Sequence, residues 1–439
     1  MSKHLFLSIF FLPILSFTAQ NPKIDFVEYN LKNGLKVILH ENHKTPIVAV
    51  SVMYHVGAKN ENPERTGFAH FFEHLLFEGS ENIERGEFFK YIENAGGTNN
   101  ANTSNDRTFY YEVLPSNQLE LGLWLESERL MHAKIDTIGV ETQNEVVKEE
   151  KRLRIDNQPY GSFLAEMNKR AFKEHPYRWT TIGKMEHLDA ATLDEFMDFY
   201  HKFYVPENAI LSIAGDINIA ETKKLVEAYF GPIPRGENKI EPVSIIEPPL
   251  ANEIRDTVYD NIQLPGVMMA YRIPEAGTED FYAIELMSMI LSQGESSRLN
   301  KKCVEKTESA MYVGAFPFDS EDPGLSFVFA IANSDVEPDK LELEINDEFK
   351  KIQSELISDK EYDKVRNMLE NDFIYNFTSM IGIAEDLANY EMYYGDANLI
   401  NTELERYLKV SKEDIQRVAN KYFVPSNRVV LYYLPKENG

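Results

Sequence analysis

Two imidazoles one helical turn apart, with a carboxylate between them, are the first side chains in this sequence arranged for chemistry. They are His70, Glu73 and His74, within Thr66-Gly67-Phe68-Ala69-His70-Phe71-Phe72-Glu73-His74-Leu75-Leu76-Phe77-Glu78-Gly79. Wound as a helix at about 100° per residue, the stretch has Phe68, Phe71, Phe72, Leu75 and Leu76 on one side. His70, Glu73, His74 and Phe77 gather on the other, where an ordinary amphipathic helix would carry Lys, Glu and Ser. Histidines at i and i+4 can share one metal ion, and Zn²⁺ is the commonest ion for two imidazoles plus a carboxylate. Glu73 would be strained as a third ligand from the same turn. Its natural role is general base, taking a proton from the attacking water.

A third ligand must then come from elsewhere, because two His and a water leave one position to fill. The segment Glu141 to Ile155 reads as a helix with Gln143, Val146, Val147, Glu150 and Leu153 on one stripe and Glu145, Glu149 and Arg152 on another. Glu150 interrupts the inward stripe, where an unpaired carboxylate costs roughly several kcal/mol. Either a buried Arg or a metal ion must meet it, and the ion is the obvious partner. No histidine follows His201, so every imidazole ligand comes from the first half of the chain. The others read blandly. His40, His43 and His55 fall at strand ends or in loops, His175 in a turn, and His132, His187 and His201 lack patterned neighbours.

The elements that must hold these residues follow from pattern. Phe26–Leu31 and Leu35–Leu39 flank Asn33-Gly34, a hairpin signal, and Ile47–Tyr54 reads as a central strand. Glu84 to Ala95 predicts a helix stopped by Gly96-Gly97. The polar run Thr98 to Asp106 is either a surface loop or an extended edge to which a peptide strand could add.

Internal repetition organises the whole. Lys202-Phe203-Tyr204-Val205-Pro206-Glu207-Asn208 recurs as Lys421-Tyr422-Phe423-Val424-Pro425-Ser426-Asn427, and each copy follows a capping-type helix start, Thr192…Glu195 and Ser411…Asp414. At the same offset Pro46-Ile47-Val48 meets Pro265-Gly266-Val267. The sequence therefore predicts an α+β fold of two homologous tandem units, each a mostly antiparallel sheet packed on helices as a sandwich. Residues 21–231 form the first, a Pro-bearing linker spans 232–253, and 254–439 form the second. Pairing Gly79 with Gly294 puts Glu285, Ser288 and Met289 at the positions of His70, Glu73 and His74, so the second unit has lost the chemistry.

Composition bounds the rest. A formal charge of −26 on 439 residues argues against nucleic acid and anionic membranes as partners. Lys3 followed by the short, Pro-broken apolar run Leu5–Phe17 reads as a secretory signal within 1–20, which implies a secreted or bacterial periplasmic protein with no membrane span in the mature chain. Cys303, the single cysteine, excludes an internal disulfide and a thiolate metal site and reads as a small buried hydrophobe.

His70-Phe71-Phe72-Glu73-His74, the inverted order of the common zinc-protease helix motif, followed by Glu150 in Glu145-Val146-Val147-Lys148-Glu149-Glu150, resembles the inverted-zincin peptidases. These are the M16 peptidases: pitrilysin, insulysin and mitochondrial processing peptidase. The resemblance extends through Gly97…Asn100-Ala101…Thr103, Tyr204…Pro206…Asn208, Gly215-Asp216 and Ser296-Ser297-Arg298-Leu299. It implies a zinc endopeptidase with one Zn²⁺ per chain, held by His70, His74 and Glu150, that acts on peptides or unfolded segments. It implies a half-clamshell subunit that dimerises, with itself or with a paralogous subunit lacking the zinc site, the second unit enclosing substrate and making subunit contacts. Asn100 and Ala101 would hold substrate backbone as an added strand. Gln143 stands where that family often has a Glu supporting the metal ligands. The alternative is a non-catalytic structural or peptide-binding subunit of the same fold.

Overall fold

The computed structural model describes residues 23–436; the expected signal at 1–20 lies outside them. The first sheet contains β1 (Val27–Asn30), β2 (Lys36–Glu41), β3 (Ile47–Tyr54), β4 (Thr98–Thr103), β5 (Thr108–Pro115) and β6 (Ala209–Gly215), in the order β1-β2-β6-β3-β5-β4. The second contains β7 (Ile254–Asp260), β8 (Gly266–Arg272), β9 (Ala310–Pro317), β10 (Leu325–Ala332) and β11 (Arg428–Pro435), in the order β7-β11-β8-β10-β9. Each sheet is antiparallel except for one pair, β2 with β6 and β7 with β11. The orders superimpose strand for strand once β1 is set aside, which gives the tandem α+β fold expected from the repeats.

The first unit's helices are α1 (Phe68–Leu75), α2 (Phe88–Asn94), α3 (Leu119–His132), α4 (Thr137–Lys151), α5 (Phe163–Ala171), α6 (Met185–Asp189), α7 (Leu193–Phe203) and α8 (Ile219–Phe230). The second unit has α9 (Glu279–Ser292), α10 (Pro338–Ser354), α11 (Asp359–Asn376), α12 (Met380–Tyr394), α13 (Leu399–Lys409) and α14 (Lys412–Tyr422). The repeated capping boxes close as read, Thr192 with Glu195 opening α7 and Ser411 with Asp414 opening α14. Among the described residues no helix is long and apolar enough to cross a membrane.

Alternation within the strands explains why both sheet faces are covered. Val48, Val50, Val52 and Tyr54 of β3 face the core under α1, α3 and α7, while Ala49 and Met53 face the opposite way. The helix that covers that opposite face is α12, from the second unit, through Ile383, Ala384 and Leu387. In exchange α5, from the first unit, lays Phe163 and Met167 on Met268 and Leu431 of the second sheet. Each unit thus finishes its partner's sandwich.

Two expected helices shift. The one expected over Glu84–Ala95 begins only at Phe88. The one expected over Glu141–Ile155 begins at Thr137, where the Asp136 carboxylate accepts from Gly139 N at 2.8 Å, and gives way after Lys151 to a π-helical turn, Arg152–Asp156. Val146 and Leu153 sit at the margin of the inward stripe and are 43% and 56% exposed, so the inward face narrows to buried Val147 between partly buried Gln143 and Glu150. Cys303 is buried and free, as read. The expected linker carries neither helix nor strand between Phe230 and Ile254, but it is pinned. Glu247 accepts from the backbone N–H groups of Lys173, Glu174 and His175 at 2.8–2.9 Å and pairs with Arg272 Nη2 at 2.8 Å.

Candidate metal centre

Helix α1 is eight residues long, too short to persist alone in water. Packing holds it: Phe68, Phe71, Phe72 and Leu75 are at most 3% exposed, and each such burial contributes roughly 1.5–3 kcal/mol. Phe68 and Phe72 stack on Phe196 and Phe199 of α7, and Tyr110 Oη donates to Phe72 O at 2.9 Å. The helix starts from Gly67 at φ +101°, where a Cβ would meet Ile182 O at 2.8 Å; both facts require glycine. No Ser, Thr, Asp or Asn caps this end. Glu61 reaches in from the preceding loop, its carboxylate accepting from Gly67 N and Ala69 N at 2.9 Å each. Burial pushes that carboxyl up to about 8 even against these N–H groups. His187 accepts from Thr66 N at 3.1 Å and steadies the same approach.

With the apolar side so fixed, His70, Glu73 and His74 turn to the partly open side. There α4 packs across α1 and brings in Glu150, whose Oε2 lies 3.1 Å from His74 Nε2 and 3.5 Å from His70 Nε2. One ligand atom from each of the three falls within 4.8 Å of the others. Glu150 Oε2 is buried and makes no hydrogen bond among the described residues, and His70 Nδ1 is likewise unpartnered among them. Two imidazole nitrogens converging on an orphaned carboxylate oxygen make a donor set that fits Zn²⁺. Burial, reinforced by His74, lowers His70 to about 4, so it is neutral near pH 7, the form that ligates metal. The His74 imidazole beside it, with His70 and Arg154, holds Glu150 below the usual carboxylate range. Its other oxygen forms an ion pair with exposed Arg154, 2.8 Å from Nη1, so an Arg and the histidines share this carboxylate.

Glu73 is raised by burial and drawn back by Thr103 Oγ1, which donates to its Oε2 at 2.6 Å. Thr103 ends β4, the strand left at the sheet's edge, with β5 as its only partner among the described residues. The run holding Asn100 and Ala101 is therefore an edge strand and not a surface loop, and it lies against α1. Gln143 points to a different neighbour than the ligands. Its amide donates to Glu78 at 2.5 Å, and Glu78 pairs with Arg85 at 2.8 Å. His175 caps the short turn at Pro176–Arg178, as read.

Sequence reasoning passed over Glu61, Arg154 and His187 and gave Thr103 no role of its own. None carries a local signal. Glu61 caps through a loop and not through the Ser/Thr-x-x-Glu spacing, and Arg154 reaches Glu150 only because of the turn that follows α4.

The family model described as "Insulinase (Peptidase family M16)" matches residues 36–184, and that described as "Peptidase M16 inactive domain" matches 190–369. The zinc protease PqqE of Helicobacter pylori is 30% identical over 408 residues, covering 92% of this chain and 92% of that protein. A crystal structure of a protease from Helicobacter pylori superposes with a TM-score of 0.90 at 29% identity, over 94% of this chain and 100% of that one. The periplasmic protease PqqL from Escherichia coli shares the fold, with a TM-score of 0.73 at 17% identity; 94% of this chain matches 48% of that longer one.

Proposed function

This chain belongs to the M16 (insulinase) family of peptidases, and from that premise we propose that it is an active zinc-dependent endopeptidase cutting peptides or unfolded protein segments. The observation that carries the reading is the convergence of His70, His74 and the orphaned Glu150 oxygen beside an edge strand. Zinc held by these three side chains would supply Lewis acidity to the scissile carbonyl and to the attacking water. Glu73 takes the proton from that water at its carboxylate and returns it to the departing amine. Thr103 keeps the carboxylate oriented by its 2.6 Å hydrogen bond. Because that threonine ends β4, the base is fastened to the strand whose open edge would take the substrate backbone, with Asn100 and Ala101 in contact. Gln143 supports this arrangement at one remove, through Glu78, which follows α1.

The second unit, 254–439, encloses substrate and makes subunit contacts, with 21–231 as the catalytic unit and 232–253 as the connection. A dimer, of two such chains or with a paralogous subunit lacking the zinc site, completes the enclosure. The apolar leader in 1–20 and the periplasmic relative support export to the periplasm or beyond. The competing reading, a non-catalytic structural or peptide-binding subunit, is favoured by the inactive-domain match, but that match spans 190–369 and contains none of the four site residues.

Glu73→Gln separates the two. The variant should retain stoichiometric zinc by elemental analysis and lose peptide hydrolysis by roughly 10²–10⁴-fold, the worth of a general base. Chelator should abolish the wild-type rate. Unchanged turnover in the variant sinks the general-base assignment, and chelator-resistant turnover sinks the zinc reading.

A further inference from the structure

A cavity of about 690 Å³ lies in the second unit where α9 passes the edge strand β9. Helix α1 has the same relation to β4 in the first unit. Glu285, Ser288 and Met289, the counterparts of His70, Glu73 and His74, all line it. Four carboxylates face it, from Glu285, Asp319, Asp386 and Glu403, and among the described residues lining it there is no Lys, Arg or His. An adjoining cavity of about 500 Å³ shares Glu285 and Asp386 and adds Asp372.

Three of these acids have donors of their own. Tyr407 Oη donates to Glu285 Oε2 at 2.5 Å, Tyr282 Oη donates to Glu403 Oε1 at 2.6 Å, and the Asn376 amide donates to Asp386. Glu403 Oε2 has none. Its residue is 5% exposed, the oxygen accepts no hydrogen bond among the described residues, and its nearest cation is Arg406, an ion pair at the long distance of 3.7 Å. Asn389 Oδ1, on the same wall, is a second buried acceptor without a donor. Such atoms are costly unless a donor meets them.

The walls say what kind of donor fits. Tyr282, Tyr390, Tyr394 and Tyr407 line the space, and aromatic faces attract ammonium and guanidinium groups. The volume falls in the range that holds small organic molecules, not the few cubic ångströms of a bare ion. We propose that this cavity is a binding site for an organic cation, an alkylammonium or guanidinium group presented by a free polyamine-like molecule or by a basic side chain of a peptide. Burial holds Glu285 and Asp386 up to about 7 each, a penalty that an entering cation lowers. Beside the cavity the same helix already holds a guanidinium: Arg107, in the loop leaving β4, pairs with Glu385 of α12 at 2.7 Å, next to the Asp386 that lines the cavity.

The test is calorimetric, on the full chain carrying Glu73→Gln so that no peptide is turned over. Agmatine, with a guanidinium and an ammonium, probes the free cation, with 1,4-butanediol as its neutral control. A Gly/Ser peptide with one Arg, beside its citrulline twin, probes the side chain. Saturable binding of agmatine, or of the Arg peptide over the citrulline peptide, supports the site and identifies its source. Glu403→Gln should then weaken that binding by roughly tenfold to a hundredfold, the worth of a hydrogen bond to a charged group. Met289→Lys, which supplies the cavity with its own ammonium, should block it; this variant answers the question if Glu403→Gln fails to fold by circular dichroism. No discrimination between cationic and neutral probes, or binding indifferent to the substitutions, overturns the proposal. None of these readouts requires the metal, so its failure and that of the peptidase reading are told apart.

Discussion

Helices α1 and α9 sit alike over the edge strands of their sheets, yet at matching positions one carries His70, Glu73 and His74 and the other Glu285, Ser288 and Met289. The difference is more than three side chains. Helix α1 keeps one side partly open, while in α9 ten of fourteen residues are buried, from Phe281 to Leu291. Helix α9 is buried over most of its surface and turns only a narrow stripe to its cavity, whereas α1 keeps three polar side chains on a partly open face. Ser288 turns inward and donates to Ile284 O in its own helix at 2.9 Å, whereas Glu73 turns outward to Thr103. The duplicated scaffold thus tolerates loss of the site without loss of the fold.

The sharpest way to break this comparison is to make the first unit resemble the second. His74→Met, the residue its counterpart carries, should strip zinc from the chain. Peptidase activity should fall by more than the 10–100-fold that supporting residues around a metal carry. Ser288→Ala, at the position of Glu73, should leave zinc content and turnover within about twofold, since it removes only a hydroxyl bonded to its own helix. Zinc assay and initial rates on both variants decide; a large effect of Ser288→Ala would show that the second unit shares in the chemistry.

Next in size is a contrast of buried arginines. Arg129 lies among Phe77, Phe88 and Tyr110, with Tyr110 at 4.1 Å, and is the cation for two fully buried carboxyls, Glu112 and Glu126. Burial and the neighbouring Glu126 hold Glu112 far above the usual range. Arg129→Met should cost roughly 3–5 kcal/mol in urea unfolding, as for a buried pair stripped of one partner. Arg428 is shared more widely, bonding Glu253, Glu342, Asn346 and Tyr271. Arg428→Met should cost less, because Glu342 keeps Arg255 and Tyr432. The opposite order would break the contrast.

The smallest effect is expected between the units. Glu247→Gln should cost about 1–3 kcal/mol, since it removes a charged acceptor from three backbone donors and Arg272. Burial pushes the Glu247 carboxyl up, but those donors outweigh it and hold it below 4.5. A depressed carboxyl contributes stability above its unfolded value and loses it as pH falls through the folded one. The gap between wild type and Glu247→Gln should therefore be full at pH 7 and close below about 4.5. Unfolding curves at both pH values check it; a gap that widens in acid contradicts the sign.

Local order was legible because it rests on contacts a few residues apart. The sequence alone determined the two faces of α1, the strand at Ile47–Tyr54, the repeated capping boxes and the tandem architecture, all through periodicities of two and 3.6 or through duplication. It also singled out Glu150 as an inward carboxylate, though not the margins of its stripe or the turn that follows. Only the tertiary structure decided that Glu150 meets both imidazoles, that Thr98–Thr103 is an edge, that Glu61 and Thr103 serve α1, and that α5 and α12 change places across the units. Those outcomes depend on sheet order and on which helix covers which face. Most of these contacts join residues far apart in the chain; Glu61 lies close to α1 but caps it through a loop that matches no capping spacing, so no local pattern encodes it either.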